Sequence, residues 1–438
     1  MRFLRLENSH MKKILQLKLR IFARLILRKY QPKIIGITGS IGKTTAKEAI
    51  FHVLSKKFSV RTSFKNYNNE IGLPLVIIGS ESPGKNLLGW LVIFFKVIYL
   101  LAWRDKNYPR ILVLEMGVDH PGDMDYLVSI AQPQVGVVTA VSFSHLEYFG
   151  SLNNIKKEKQ RLVESLDANG LAILNYDSEP VSDMSSVIKA KTTSYGIKSE
   201  ADLMAQDISY NFVRGHYELS GVHFKLNYKG SIVPVFMKNV MSEPAVYAAL
   251  SATAVGLGEG LNLVDIAAAL SDFIPPHGRM NPLPGIKHSF LIDDTYNSSP
   301  EAALSAVQIL SKVSIDQSAQ KYAVMGDMLE IGAYAEEGHR QVGRAIHDSG
   351  VDILVAVGER ARDFIRGAKD AGMEDEQVFY FDKPSEAGRF LQNRVKEGDV
   401  LLVKGSQGMR MEKIVKELMA EPEKANELLV RQDSKWSE

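Results

Sequence analysis

The sequence predicts an α/β protein: a P-loop parallel-sheet domain, a second Rossmann-like α/β domain C-terminal to it, and a short basic amphipathic helix ahead of both. Three observations carry this. Strand-like runs alternate with helical stretches, first "KIIGITG", "ILVLEMG", "VGVVTAV" and "LAILNYD", then "FLIDDTY", "KYAVMGD", "ILVAVGE", "QVFYF" and "DVLLVKG". Such alternation gives a parallel sheet covered by helices. Between the two series lies "FIPPHGRMNPLPG", Phe273 to Gly285, whose prolines and glycines read as a linker. Finally, "GSIGKTT" follows the first strand and opens a helix. A chain of 438 residues exceeds one ordinary core. The expected divisions are an N-terminal helix over 1–33, a nucleotide-binding domain over 34–283 with an apolar insert at 85–106, and a C-terminal domain over 284–438.

Composition narrows the function classes. The net charge of +2 gives no bulk attraction to nucleic acid. The chain has no cysteine, which excludes disulfides and thiolate metal sites and fits a cytoplasmic location.

The elements follow in order. Met11 to Tyr30 reads as one helix with an apolar stripe and Lys and Arg elsewhere. Such a helix docks on the next domain or lies on an anionic membrane surface. Gln31 and Pro32 end it. Helices are expected over Thr44 to Lys56, Ile155 to Leu166 and Pro244 to Gly256. Residues 194–237 alternate around the hairpin signal "NYKGS" and read as a small antiparallel insert. "LLGWLVIFFKVIYLLAW", Leu87 to Trp103, is apolar on every face except at Lys96. It is shorter than the roughly 20 residues of a membrane span. It reads as a buried helix or, given Lys85, Arg104, Lys106 and the flanking tryptophans, as one dipping into a single leaflet. The tail after Glu421 is polar and is expected to fray.

The glycine turn is the first chemical signal. Glycines let backbone N–H groups approach a phosphate, and a helix N-terminus adds partial positive charge. Gly39, Gly42, Lys43, Thr44 and Thr45 form the expected nucleotide loop, with Lys43 on the β- and γ-phosphates and the Thr44 hydroxyl on Mg²⁺. Ile37 stands where the strict motif has its first glycine, and a chance GK-T turn is the competing account. Glu115 ends a strand, and His145 follows another, both on the edge where parallel sheets bind ligands. Singly, Glu115 reads as a helix cap and His145 as a satisfied loop histidine. With the loop they make a candidate Mg²⁺ cluster.

The chain resembles the Mur ligases, most of all the subgroup that adds D-alanyl-D-alanine. The stretches carrying the resemblance are "TGSIGKTT", "NYNNEIGLPL", "LEMGVDHPGDMDYL", "SHLEYFGSLNNIKKEK", "HGRMNPLPG", "IDDTYNSSPEA", "MGDMLEIG" and "LLVKGSQGMRMEKIV", in family order from residue 34 to about 417. The resemblance implies an ATP-dependent amide-forming ligase working through an acyl phosphate. Its partners would be a cell-wall peptide precursor and an amino acid or dipeptide. It assigns metal ligation to Thr44, Glu115, His145 and a carbamylated Lys159, for which a solvated helix lysine is the bland alternative. It places Arg279 on the phosphates, Asp294, Tyr296 and Asn297 by the nucleotide, and Asn68, Asn69, Lys404, Ser406 and Arg410 toward the substrates. Catalysis would rest on Lys43, His145, Lys159 and Arg279.

Departures from the family pattern matter too. Only about 33 residues precede the nucleotide domain, where the family has a domain gripping the UDP end of its substrate. Ala245 and Ala248 stand where the family favours asparagine near the adenine, and Arg161 where an acidic residue is common. Two other readings therefore remain: a Mur-fold ligase with another acceptor, such as a folylpolyglutamate-type enzyme, and a membrane-peripheral nucleotide-binding subunit without ligase activity.

Overall fold

The computed structural model describes residues 2–63, 67–142, 146–211, 220–329 and 331–432. Its first element, α1, runs over Arg2–Tyr30. It starts nine residues earlier than the expected Met11 because no proline or glycine interrupts residues 2–30. It stops where Gln31 turns left-handed (φ 48°) ahead of Pro32.

The first sheet comprises β1 (Lys33–Thr38), β2 (Val60–Arg61), β3 (Ile111–Glu115), β4 (Val135–Val138), β5 (Leu171–Asn175), β6 (Lys191–Gly196), β7 (Leu203–Asn211), β8 (Gly221–Tyr228) and β9 (Ser231–Lys238). The spatial order is β2-β3-β1-β4-β5-β6-β7-β8-β9. Strands β1 to β6 are parallel, β6 also pairs parallel with β7, and β7 to β9 form an antiparallel meander. The segment read as a small antiparallel insert is antiparallel from β7 onward, and it extends the main sheet through β6. Its hairpin turns on Lys229 and Gly230, both at positive φ (50° and 81°), with Tyr228 opposite Ser231. That is the backbone a two-residue type I′ turn demands.

Strand alternation splits the core. Ile35, Ile37, Val113 and Val137 face α2 (Lys43–Ser55), with two later helices over Glu243–Gly258 and Leu263–Ser271 on the same side. Ile34, Leu112, Leu114 and Val138 face the other layer. That layer holds α1, α3 (Gly72–Ile78), α4 (Leu87–Ala102), α5 (Asp123–Ile130) and a helix over Leu152–Glu164. Of the two expected readings of α4, the helix buried on all sides does not hold. Only Ile93, Val97 and Leu100 are buried, because α4 lies at the rim of the layer and packs through one narrow stripe.

The second sheet has the order β10-β11-β15-β12-β13-β14, from β10 (Asn281–Pro284), β11 (Phe290–Asp294), β12 (Lys321–Gly326), β13 (Ile353–Val357), β14 (Val378–Phe381) and β15 (Val400–Lys404). All its pairings are parallel except β10 with β11. The second sheet thus begins at Asn281, inside the stretch read as linker. Residues 422–432, expected to fray, are held: Leu429 is buried and Arg431 is pinned beneath Thr295 and Tyr296.

Candidate active site

Strand β1 lies at the point where the chain's connections diverge, to β3 on one side and β4 on the other. The crevice beyond the carboxyl ends of such strands is where open α/β sheets bind ligands. The glycine turn leaves β1 there. Ile37 is still inside β1, paired with Glu115, so the turn proper starts at Gly39 and position 37 needs no glycine. Gly39 has φ 150°, and a Cβ there would come within 2.0 Å of Thr139 Oγ1. Gly42 is left-handed (φ 83°) and opens α2 with no side chain capping it. The first N–H groups of α2 therefore keep their donors for an anion.

The segment that follows β4 clamps the turn, in contacts the sequence did not reveal. Thr139 donates from Oγ1 to the Ile41 carbonyl (2.6 Å), Ser40 N donates to Ala140 O (2.6 Å), and Ser142 N donates to Ser40 Oγ (3.0 Å). Lys43 folds back on the turn, donating to Gly39 O at 2.7 Å. Burial lowers its pKa, Arg279 lowers it further, and Glu115 opposes them.

Glu115 is buried at the end of β3. Its Oε1 accepts from Asn68 Nδ2 at 3.2 Å, while Oε2 is buried with no hydrogen-bond partner among the described residues. An orphaned carboxylate oxygen beside a phosphate turn is a fitting ligand for Mg²⁺, as is the Thr44 hydroxyl in the same cleft. No three His, Asp or Glu side chains converge as a metal site among the described residues. His145 lies outside the described residues. Lys159 is not a solvated helix lysine: it is only 2% exposed. Burial first, and then the nearby Lys43 charge, push its pKa down to about 7.

The second sheet closes the cleft from the opposite side. Asp294 and Lys404 are in register at the ends of the neighbouring strands β11 and β15, and their side chains meet at 2.6 Å. Lys404 also donates to the Asn297 carbonyl at 3.0 Å. From the linker, the Arg279 guanidinium lies 4.2 Å from the centre of the Tyr296 ring. Arg431 donates to the Thr295 and Tyr296 carbonyls and pairs with the buried Glu412 at 2.9 Å, bracing that loop from below. The resulting cleft has a volume of about 650 Å³. Lys43, Thr44, Thr45, Asn68, Glu115, Arg279, Asp294, Tyr296, Asn297 and Lys404 all line it. Gly39 and Lys159 are not among its lining residues, and three further expected site residues have other contacts instead. Asn69 accepts from Ile71 N and Gly72 N at the start of α3. Ser406 accepts from Leu329 N and donates to Ser298 O. Arg410 donates to Glu412 at 2.5 Å.

Comparison with known proteins matches this architecture. The Mur ligase middle domain model matches residues 96–256, and the Mur ligase, glutamate ligase domain model matches residues 278–407. The UDP-N-acetylmuramoyl-tripeptide--D-alanyl-D-alanine ligase of Mycobacterium leprae is 30% identical over 396 residues, covering 85% of this chain and 71% of that one. MurF from Acinetobacter baumannii superposes with a TM-score of 0.75 at 26% identity, over 91% of this chain and 79% of that one. MurF ligase from Thermotoga maritima in complex with ADP gives 0.73 at 25% identity, over 93% and 84%. The chain belongs to the Mur ligase family of ATP-dependent ligases.

Proposed function

We propose that this protein joins D-alanyl-D-alanine to a UDP-N-acetylmuramoyl-tripeptide in the cytoplasm, completing the peptide of a cell-wall precursor. The observation that carries the reading is the convergence of the phosphate turn, Glu115, Arg279 and the Asp294–Lys404 pair on one cleft between two sheets. The relatives named above support the choice of substrates. In this reading residues 34–283 form the ATP-binding unit and residues 284–438 a unit that closes on it.

The acceptor carboxylate attacks the γ-phosphorus of ATP, giving an acyl phosphate and ADP. The amine of the dipeptide then attacks the acyl carbon, loses a proton, and phosphate leaves. Both steps depend on positioning and on neutralising charge. The turn amides, Lys43 and Thr45 hold the phosphates. Thr44 and Glu115, with His145 and a carbamylated Lys159 at a second position, would hold Mg²⁺, which would supply neutralisation of phosphate charge. Asn68 fixes the orientation of Glu115, Arg279 reaches the phosphates, and Tyr296 packs beneath it. Asp294 and Asn297 orient the nucleotide, and Lys404 neutralises charge from the opposite wall. Ser406 and Arg410 shape the loops on that wall, and Asn69, through the start of α3, sets residues 67–71, which in this reading form the acceptor loop.

Purified protein with ATP, Mg²⁺, the tripeptide acceptor and D-alanyl-D-alanine is expected to release phosphate only when both substrates are present. Mass spectrometry is expected to find the pentapeptide product. Release with either substrate omitted, or a product only from a different acceptor or amine, overturns the assignment.

The two walls sit on different sheets joined through Gly278 and Met280, both at positive φ (69° and 58°). Small-angle scattering is expected to show a smaller radius of gyration with saturating ATP analogue and acceptor than with neither, as the second unit closes. An unchanged profile under saturation means a fixed arrangement.

A further inference from the structure

Helix α4 presents an apolar face that nothing in the described structure covers. At about 100° per residue, the exposed side chains between Leu87 and Trp103 span an arc of roughly 160°. Leu88, Leu91, Val92, Phe95, Ile98 and Tyr99 are each at least half exposed. The buried strip of Ile93, Val97 and Leu100 lies opposite. Lys96, the one charge in the helix, donates to the Gly79 carbonyl and so is turned onto the protein.

Helix α1 continues this face. Phe22 meets Phe94 edge-on, with ring centres 5.9 Å apart. Further along, Lys29 donates to the carbonyls of Leu100, Leu101 and Trp103, and Tyr30 to that of Leu100. Residue numbers rise together along the contact, so the two helices run parallel. The buried strips, Leu19, Ala23 and Ile26 on α1 and Ile93, Val97 and Leu100 on α4, belong to one cluster in which the two helices pack on each other and on α3, and the opposite side of each helix, with Ile14, Leu17, Ile21 and Leu25 on α1, is left exposed. Exposed apolar side chains in this number on two neighbouring helices are unusual on a monomeric protein and mark an interaction site.

Charge identifies the occupant. Neither residues 11–30 nor residues 85–104 contain a carboxylate. Exposed Lys13, Lys18, Arg24 and Arg28 flank the apolar stripe of α1, and Lys85 and Arg104 bracket α4. No helix among the described residues is long and apolar enough to cross a membrane. An apolar face rimmed by cations and lacking acids matches the interface of a bilayer rich in anionic phospholipid, with tryptophan and tyrosine at the headgroup level. We infer that α1 and α4 together form a platform that lies in the plane of an anionic membrane surface. The platform adjoins the cleft: Gln16 donates to Glu70 at 2.9 Å, two residues from Asn68, which holds Glu115. The platform thus sets the acceptor loop beside the bilayer.

Flotation of the full chain with vesicles tests this without any turnover, so it stands or falls separately from the ligase assignment. The protein is expected to float with phosphatidylcholine–phosphatidylglycerol vesicles at low salt, and much less with phosphatidylcholine alone or at high salt. Combined Lys13→Gln, Lys18→Gln and Arg24→Gln is expected to weaken binding about a hundredfold. Leu91→Ser, Phe95→Ser and Ile98→Ser together are expected to abolish it. These side chains point outward, so the thermal midpoint and ATP affinity should persist in both variants. Trp90 and Phe94 are left alone because they pack against α1 and the loop at Gly84. Wild-type protein that stays in the aqueous fraction at low salt overturns the inference. So does binding that both variants retain, or self-association through this face in place of vesicle binding.

Discussion

Lys43→Ala is expected to lower ATP turnover by about two to three orders of magnitude, the scale set by removing a charge-stabilising donor from a transition state. The loss should appear in kcat as well as in nucleotide affinity, because in the proposed mechanism Lys43 neutralises charge that grows as the γ-phosphoryl group transfers. The fold should survive. In the free protein Lys43 contacts carbonyls of its own turn, and burial works against its charge. Removing it discards a desolvation cost along with those bonds, so the thermal midpoint should hold or rise slightly. Phosphate release and a melting curve on the same preparation check both halves. A variant with near-normal turnover removes the nucleotide from this turn, and a variant that fails to fold shows that Lys43 is structural.

What the sequence made legible was whatever repeats locally. The strands flanking the cleft could be read because apolar residues recur with the period of a buried sheet, and the glycine turn because its glycines and Lys43 are adjacent in the chain. Contacts between distant segments left no such trace. Thr139 clamps the turn from just beyond the neighbouring strand, Asn68 fixes Glu115 across 47 positions, and Arg431 braces Tyr296 across 135. None of these pairs has a spacing that a periodic reading can find. The two readings of α4 stayed open for a different reason. A helix apolar on all sides has the same composition whether protein or lipid surrounds it. Only its position at the rim of the layer decides between them. The polar tail misled for the converse reason: Arg431 is polar in composition but is buried against Glu412 and two backbone carbonyls.

Lys159 carries the other large expected effect. Its amine is almost wholly buried, and its pKa of about 7 lies far below the ordinary 10.5. A neutral amine is the form that reacts with carbon dioxide, and carbamylation converts a costly buried cation into an anion able to ligate a metal. The extent of modification should therefore rise as pH increases through about 7. Lys159→Ala and Lys159→Arg should both lose activity by about two orders of magnitude or more. A small carboxylic acid should partly restore the alanine variant and leave the arginine variant inactive. In buffer freed of carbon dioxide the unmodified lysine has its own signature. Between pH 7 and 10.5 the unfolded chain binds the extra proton, so stability should increase with pH across that window. Below pH 7 both states are protonated and the full burial cost applies. Lys159→Met should flatten this dependence. Isotope-labelled bicarbonate should give a carbamate signal in the wild type that is absent from Lys159→Arg. Full activity in carbon dioxide-free buffer, or a wild type with no carbamate signal at pH 8 and saturating bicarbonate, rules the modification out and leaves Lys159 as a neutral buried amine beside Lys43.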